Sequence, residues 1–264
     1  MRLGWQAFLT FAFALIVLPA LAQERKPGCL PDMSEAPARI MKAALSEGEM
    51  KLTFIGHATF LIESPAGVKI ETDYNDYMRA PVTPDIATMN RAHDTHYSNN
   101  PEPGIGQILR GWTPDGSPAH HDVTLGDIRI RNVVTNIRQW GTDRTIYNGN
   151  SIFVVEQDDF CIAHLGHLHH ELEPEHYRAL GRVDVLLMPV DGNYTLSQES
   201  MLEVAKHVQA KIMIPMHFFG SYTLDRFLDL ASKDFKIERR TSPTITVSKA
   251  TLPDKPTIIV LPGR

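Results

Sequence analysis

The sequence predicts a layered α/β fold with mixed sheets, on two observations. Residues 52–163 carry short runs rich in β-branched and aromatic residues with period-two patterning, whereas residues 173–231 alternate helical patterns with continuous apolar strands. A strand meander followed by strand and helix in alternation packs as layers over a common core. A third observation points to function: histidines gather where the strands end. The 264-residue chain is long enough for a sizeable core, and no repeat or linker divides it, so residues 50–264 are expected to form one domain.

The chain opens with a pattern that reads as a signal peptide over residues 1–22: Arg2, an apolar run over 5–18, and Ala20-Leu21-Ala22 before Gln23. The apolar run falls short of the ~20 residues a spanning helix needs, so no membrane anchor is expected after cleavage and the location is periplasmic or secreted. Residues 23–49 read as an extended, Pro-rich N-terminal arm, with a short helix over 38–45. The net charge of −5, without a Lys/Arg cluster, excludes general nucleic-acid binding. Of the two cysteines, Cys29 lies beside Pro27-Gly28 and Cys161 in an apolar strand; a buried free thiol is expected at Cys161, with a single disulfide as the alternative.

Strands over 52–55 and 59–63 flank Gly56-His57-Ala58, and a turn at 64–67 leads into a strand over 68–72 that ends at Asp73. A strand over 86–89 delivers Arg91, His93, Asp94, Thr95 and His96; histidines three apart can face one ion. Residues 99–121 form a long Pro/Gly-rich loop, either a wall of the site or a surface excursion pinned by Trp112. A hairpin over 122–134 follows, then Arg138, and then strands over 151–156 and 160–163. These run into His164, His167, His169 and His170. A single histidine at a strand end is usually a hydrogen-bonded one, but four together favour metal ligation. The second half continues with a helix over 173–180, a buried strand over 183–190 ending at Asp191, a helix over 197–209 capped by Ser197, a strand over 211–216 ending at His217, a helix over 222–231, and closing strands over 245–248 and 257–261.

Taken in order, Gly56-His57-Ala58-Thr59, the H-x-x-H loop, His164-Leu165-Gly166-His167, the strand 183–190 and Ile214-Pro215-Met216-His217 resemble the metallo-β-lactamase superfamily. More narrowly, they are similar to its ascorbate-6-phosphate lactonase-like and N-acyl-phosphatidylethanolamine phospholipase D-like branch. The resemblance covers roughly residues 50–220 and implies a four-layer αββα sandwich of two mixed sheets. The family's metal loop H-x-H-x-D-H is altered here, with Arg91, His93, Thr95 and His96 in its slots. His167 stands where the family has a bridging aspartate, and Arg138 is the polar residue nearest the expected isolated histidine.

The resemblance implies a metal site of His93, His96, His167 and His217, with His57, Asp73, His164, His169 and His170 as secondary candidates. Three neutral imidazoles with an open position suit one Zn²⁺ and a metal-activated water. Asp94 and Asp191 are candidate proton acceptors, and Arg91 and Arg138 candidate holders of an anionic small-molecule substrate. For Arg91 a salt bridge to Asp73 or Asp94 is the structural alternative. Two functions follow: an exported hydrolase of an ester, lactone or phosphodiester bond, or a non-catalytic member that binds a metal or small ligand. The leader generates the first prediction: N-terminal sequencing of exported protein is expected to find the mature chain beginning at or near Gln23, and an intact Met1 would exclude cleavage.

Overall fold

The computed structural model describes residues 45–139, 141–142 and 144–263; the signal-peptide segment and the arm through residue 44 lie outside the described residues. A first group of strands comprises β1 (Met50–Gly56), β2 (Thr59–Glu63), β3 (Lys69–Glu71), β4 (Ile86–Met89) and β5 (Gln107–Arg110). Then follow β6 (Asp122–Leu125), β7 (Ile128–Arg138), β8 (Thr145–Gln157), β9 (Phe160–His164), α1 (Pro174–Leu180), β10 (Val185–Pro189), α2 (Gln198–Val208), β11 (Ile212–Met216) and α3 (Ser221–Ala231). The chain closes with β12 (Lys236–Arg239), β13 (Thr244–Val247) and β14 (Thr257–Val260).

These strands form two mixed sheets, one of six strands ordered β13-β1-β2-β3-β4-β5 and one of eight ordered β12-β14-β11-β10-β9-β8-β7-β6. The strand order explains the expected meander: β1, β2 and β3 pair antiparallel in succession, while β3, β4 and β5 run parallel. In the second sheet β9, β10 and β11 are parallel neighbours, so their C-terminal ends lie along one edge.

Side-chain alternation assigns the layers. Phe54, Phe60, Ile62 and Ile70 from the first sheet meet Phe153, Val155, Ile162, Leu187 and Ile214 from the second in a core between the sheets. The intervening residues Val154, Ala163, Leu186, Met188 and Met213 face the other way and bury against Met201 and Ala205 of α2 and Phe227 of α3. Strands covered on both faces need apolar residues at every position, hence the unbroken Val185–Pro189 run. On the outer face of the first sheet, Ala87 and Met89 pack against Tyr74, Ile105 and Trp112, so the 99–121 segment covers that sheet. Within it lies β5, a strand the sequence reading missed because its Gly/Pro flanks mask a four-residue run. The exposed strand β12 was missed for a similar reason: its Lys, Glu and Arg carry no apolar alternation. Among the described residues no helix is long and apolar enough to cross a membrane.

Ser197 caps α2 as expected, its hydroxyl accepting from Ser200 N at 3.1 Å. The expected free thiol at Cys161 is corrected: Cys161 is buried and disulfide-bonded, and Cys29, the other cysteine of the sequence, lies outside the described residues. Such pairing depends on the spatial approach of two backbones, which sequence spacing does not reveal.

Glu71, on β3, is fully buried; one carboxyl oxygen accepts from Ala80 N at 3.2 Å and the other has no partner. Burial pushes its pKa up from 4.5 to about 7, against the opposing pull of the Ala80 amide and Arg79. A folded-state pKa above the unfolded one means stability is present below the unfolded value and is lost as pH rises through the folded value. Glu71→Gln removes that loss. Thermal unfolding is expected to show little difference between variant and parent near pH 5 and a variant more stable by on the order of 2 kcal/mol near pH 8.

Candidate metal centre

Every residue of the site follows the C-terminal end of a strand. His57 follows β1, Asp73 follows β3, His93 and His96 follow β4, His167 follows β9, Asp191 follows β10 and His217 follows β11. Parallel strands present such ends on one side of a sheet, where side chains can converge without breaking the ladder. Three of these residues, His57, Asp73 and His217, hold positive φ angles of 52°, 43° and 54°. Non-glycine residues rarely adopt that region, and their concentration around one point marks a site where local strain is held by the surroundings.

Imidazoles of His57, His93, His96 and His217 each offer a ring nitrogen, and these atoms lie within 4.8 Å of one another. His167 joins them, with ring centres 5.1 Å from His93 and 5.0 Å from both His96 and His217. Three rings are oriented from behind. His96 Nδ1 lies 2.5 Å from Asp73 Oδ2, His217 Nδ1 lies 2.9 Å from Asp191 Oδ2, and His93 Nδ1 lies 2.8 Å from the Thr95 hydroxyl. A carboxylate behind Nδ1 takes that nitrogen's proton as a hydrogen bond and leaves Nε2 as the lone-pair side, the arrangement found behind metal-bound histidines.

The consequence is decisive for occupancy. Nε2 of His96 and Nε2 of His217 face each other at 3.1 Å. In the neutral tautomers whose Nδ1 atoms donate to the carboxylates, both Nε2 lone pairs point into this gap, where one cation can take both. Zn–N bonds of about 2.0–2.1 Å at angles of 90–110° place two nitrogens roughly 2.9–3.4 Å apart, which matches. Both nitrogens of His57 and both of His167 are buried without a hydrogen-bond partner, a costly state that a shared ion relieves. The residues present therefore fit a divalent metal ion.

Electrostatics agree with that fit. Burial lowers the His57 pKa to about 2, with His217 and His93 adding, and lowers that of His93 to about 4. Burial also holds His96 and His167 well below the ordinary histidine range, with neighbouring imidazoles adding to the effect. All four are neutral near pH 7, the form that binds metal. Burial pushes the Asp73 carboxyl up, and the Asn90 side-chain amide, donating at 3.0 Å, pulls against it. Burial also acts on Asp191, but the His217 and Thr195 hydrogen bonds outweigh it and hold this carboxyl low.

The structure separates the remaining candidates. His164 is spent on the backbone: Nε2 donates to Ala58 O at 2.8 Å and Nδ1 accepts from Gly166 N at 3.3 Å. His170 accepts from Asn136 N at 3.1 Å and donates to Glu171 O at 2.7 Å, while His169 donates to Asn136 O at 3.1 Å. Of the four-histidine run only His167 turns into the cluster. Asp73 stands behind His96 and offers its ring no competition for an ion. Asp191, expected as a proton acceptor, is instead fully engaged by His217, Thr195 and the amides of Asn193 and Tyr194, which makes it a positioning residue. Asp94 is exposed beside His93 and accepts from the Tyr77 hydroxyl at 2.8 Å. Arg91 is also exposed and, among the described residues, forms no ion pair with Asp73 or Asp94. Arg138 donates to the carbonyls of Asn193 at 3.1 Å and Thr195 at 3.4 Å. Together with His169, Gly192 and Ser197 it lines an open cleft of about 390 Å³. At the mouth, Phe219 is 60% exposed and stands 5.4 Å from His217 and 5.7 Å from His57. Sequence reading had no signal for this aromatic, which lies in an unpatterned loop.

Behind the ligands, Asn90 ties the two sheets, donating to Asp73 and accepting from Ser151 N at 2.8 Å, while Asn150 accepts from His167 N at 2.8 Å. Gly166 has φ +60°, and a Cβ there would stand 2.5 Å from both Asn150 Oδ1 and Asn90 Nδ2. Gly166→Ala is expected to destabilise the fold by on the order of 2–3 kcal/mol and to loosen metal retention through both asparagines. Thermal unfolding and elemental analysis after dialysis check the two effects.

Comparison with known proteins accords with this geometry. The family model described as a beta-lactamase superfamily domain matches residues 51–217. A UPF0173 metal-dependent hydrolase of Methanoculleus marisnigri is 26% identical over 208 residues, covering 73% of this chain and 91% of the relative. A Thermotoga maritima crystal structure, described as a candidate zinc-dependent hydrolase of the metallo-β-lactamase superfamily, superposes with a TM-score of 0.61 at 28% identity, covering 81% of this chain and 100% of that one. The metallo hydrolase Igni18 of Ignicoccus hospitalis shares the fold, with a TM-score of 0.55 at 17% identity over 76% of this chain and 99% of its own. With the family model spanning the whole stretch from β1 to His217, the chain belongs to the metallo-β-lactamase superfamily.

Proposed function

We propose that this protein is an exported metal-dependent hydrolase that cleaves an ester, lactone or phosphodiester bond in a small anionic substrate. The observation that carries the reading is the pair of Nε2 atoms 3.1 Å apart, each on a ring whose Nδ1 lies against an aspartate, with the other imidazoles of the cluster gathered around them. Membership of the superfamily supports it, as do relatives named metal-dependent hydrolases. The narrower likeness to the lactonase-like and phospholipase D-like branch rests on Gly56-His57-Ala58-Thr59, whose histidine stands in the cluster. The leader and the disulfide-bonded Cys161 support export, because structural disulfides persist in oxidising compartments.

A divalent cation held by these imidazoles supplies Lewis acidity and makes water a competent nucleophile near neutral pH. The chain's own groups do the rest. Asp73 and Asp191 fix the tautomer and rotation of His96 and His217. Asp94, at the rim and held by Tyr77, is placed to accept a proton from the solvent side. Arg138, its Nη2 tethered to two carbonyls, keeps its other guanidinium donors for a carboxylate or phosphate in the adjoining cleft, and exposed Arg91 adds positive charge at the rim. Phe219 gives the entrance an apolar wall.

A panel of esters, lactones and phosphodiesters tests the proposal. Turnover is expected to vanish on chelation, return with metal, and fall by about a thousandfold or more in His96→Ala or His217→Ala, the scale on which core catalytic groups act. Arg138→Ala is expected to raise KM for anionic substrates with a smaller change in kcat. Metal bound in full with no turnover across the panel would assign the chain instead to the non-catalytic, ligand-binding class.

A further inference from the structure

The nitrogen cluster is notable for its composition: among the described residues, the ligand atoms grouped there come from imidazoles and not from carboxylates. Asp73 and Asp191 are each turned onto an Nδ1 atom, and Asp94 is exposed and bonded to Tyr77. Thr95 is committed to His93. The two histidines without any partner, His57 and His167, approach the same three rings. His57 lies 5.6, 4.9 and 4.1 Å from His93, His96 and His217, and His167 lies 5.1, 5.0 and 5.0 Å from them, centre to centre. A ring bound through nitrogen has its centre roughly 3.2 Å from the ion, so rings sharing one ion at 90–120° stand roughly 4.5–5.5 Å apart. All three His167 spacings fall in that range, as does the His57–His96 spacing, while the other two His57 spacings, 5.6 and 4.1 Å, lie just outside it.

We infer that the site is a mononuclear, all-imidazole centre in which His57 and His167 join His93, His96 and His217, and that it selects late first-row ions such as Zn²⁺ or Cu²⁺ over Mn²⁺, Mg²⁺ and Ca²⁺. The inference rests on the metal-binding part of the reading above and not on hydrolysis. Imidazole suits borderline ions, whereas manganese, magnesium and calcium depend on carboxylate, carbonyl and water oxygens. A second ion about 4 Å away needs a bridging anion to offset repulsion between cations, and no carboxylate here is placed to bridge. Neutral ligands also leave the ion's full charge uncompensated. That favours an anionic occupant of any remaining position.

The test uses the mature full-length chain, stripped of metal and dialysed against Zn²⁺, Cu²⁺, Mn²⁺ or Mg²⁺ alone and in competition. Elemental analysis is expected to give one equivalent of Zn²⁺ or Cu²⁺, retained against about a thousandfold excess of Mn²⁺ or Mg²⁺. The Cu²⁺ form is expected to show nitrogen hyperfine structure from several imidazoles by electron paramagnetic resonance. His57→Ala and His167→Ala, checked for folding by circular dichroism, are each expected to weaken Zn²⁺ binding about tenfold or more, and the Asp191→Asn change about 10- to 100-fold by misorienting His217. Exposed His120→Ala is expected to change nothing. Should an alanine variant fail to fold, the asparagine variant at the same position gives the reading. Two tightly held equivalents, Mn²⁺ binding as tight as Zn²⁺, or folded His57 and His167 variants with unchanged affinity would each overturn the inference. Mn²⁺ selectivity with intact turnover would overturn it while leaving the hydrolase reading standing; tight single-equivalent Zn²⁺ without turnover would do the reverse.

Discussion

Two imidazole nitrogens facing each other at 3.1 Å, on rings whose far nitrogens each lie against a buried aspartate, are the constraint on which this structure turns. Each ring is held from behind by its aspartate. Asp73 is itself held by Asn90, which also binds Ser151 of the opposite sheet. Asp191 is wrapped by the amides of the loop that follows it. Strained backbone at His57, Asp73 and His217 completes the arrangement, and the sheets on either side provide the rigidity that makes such strain sustainable. The packing of Phe54, Phe153 and Ile214 between the sheets is thus part of the site's support, although none of these residues approaches it chemically.

Much of the fold was legible because burial dictates patterning. Strands covered on both faces, such as β9 and β10, have little choice but continuous apolarity, and helix α2 announced itself through Ser197. The elements that escaped, β5 and β12, are short and half-exposed, so neither periodicity nor composition marks them. In the site, His93, His96 and His217 could be read because they follow strands at recognisable positions. The dense run from His164 to His170 misled by proximity: the turn at Gly166 directs one ring inward and leaves the others to bond backbone groups. His57 ranked too low because its inward turn depends on a left-handed backbone that sequence does not display. Asp191, expected as a proton acceptor, has its carboxyl oxygens bonded to His217, Thr195 and the amides of Asn193 and Tyr194. A carboxylate at a strand end looks the same in sequence whether it faces substrate or the back of an imidazole, and only its hydrogen bonds distinguish the roles.

The cleft beside the centre extends this division of labour. One loop supplies the carboxylate that orients His217 and the carbonyls that tether Arg138, so the positions of a ligand and of a cationic side chain at the entrance are set by the same few residues. Residues 191–195 therefore connect the histidine cluster to the cleft that Arg138 lines.

The amide of His217 donates to the carbonyl of His57 at 2.6 Å, joining the first histidine of the cluster to the last across most of the chain. One belongs to the turn after β1 and the other to the end of β11, in different sheets. A nascent chain presents no ion-binding pair of comparable reach until both sheets have formed and docked, since such non-local contacts incur loop closure before they give any return. The cluster is complete only when both sheets are docked, in contrast to small domains whose metal organises an otherwise unfolded chain. An ion that needed all of these rings would therefore report a finished architecture.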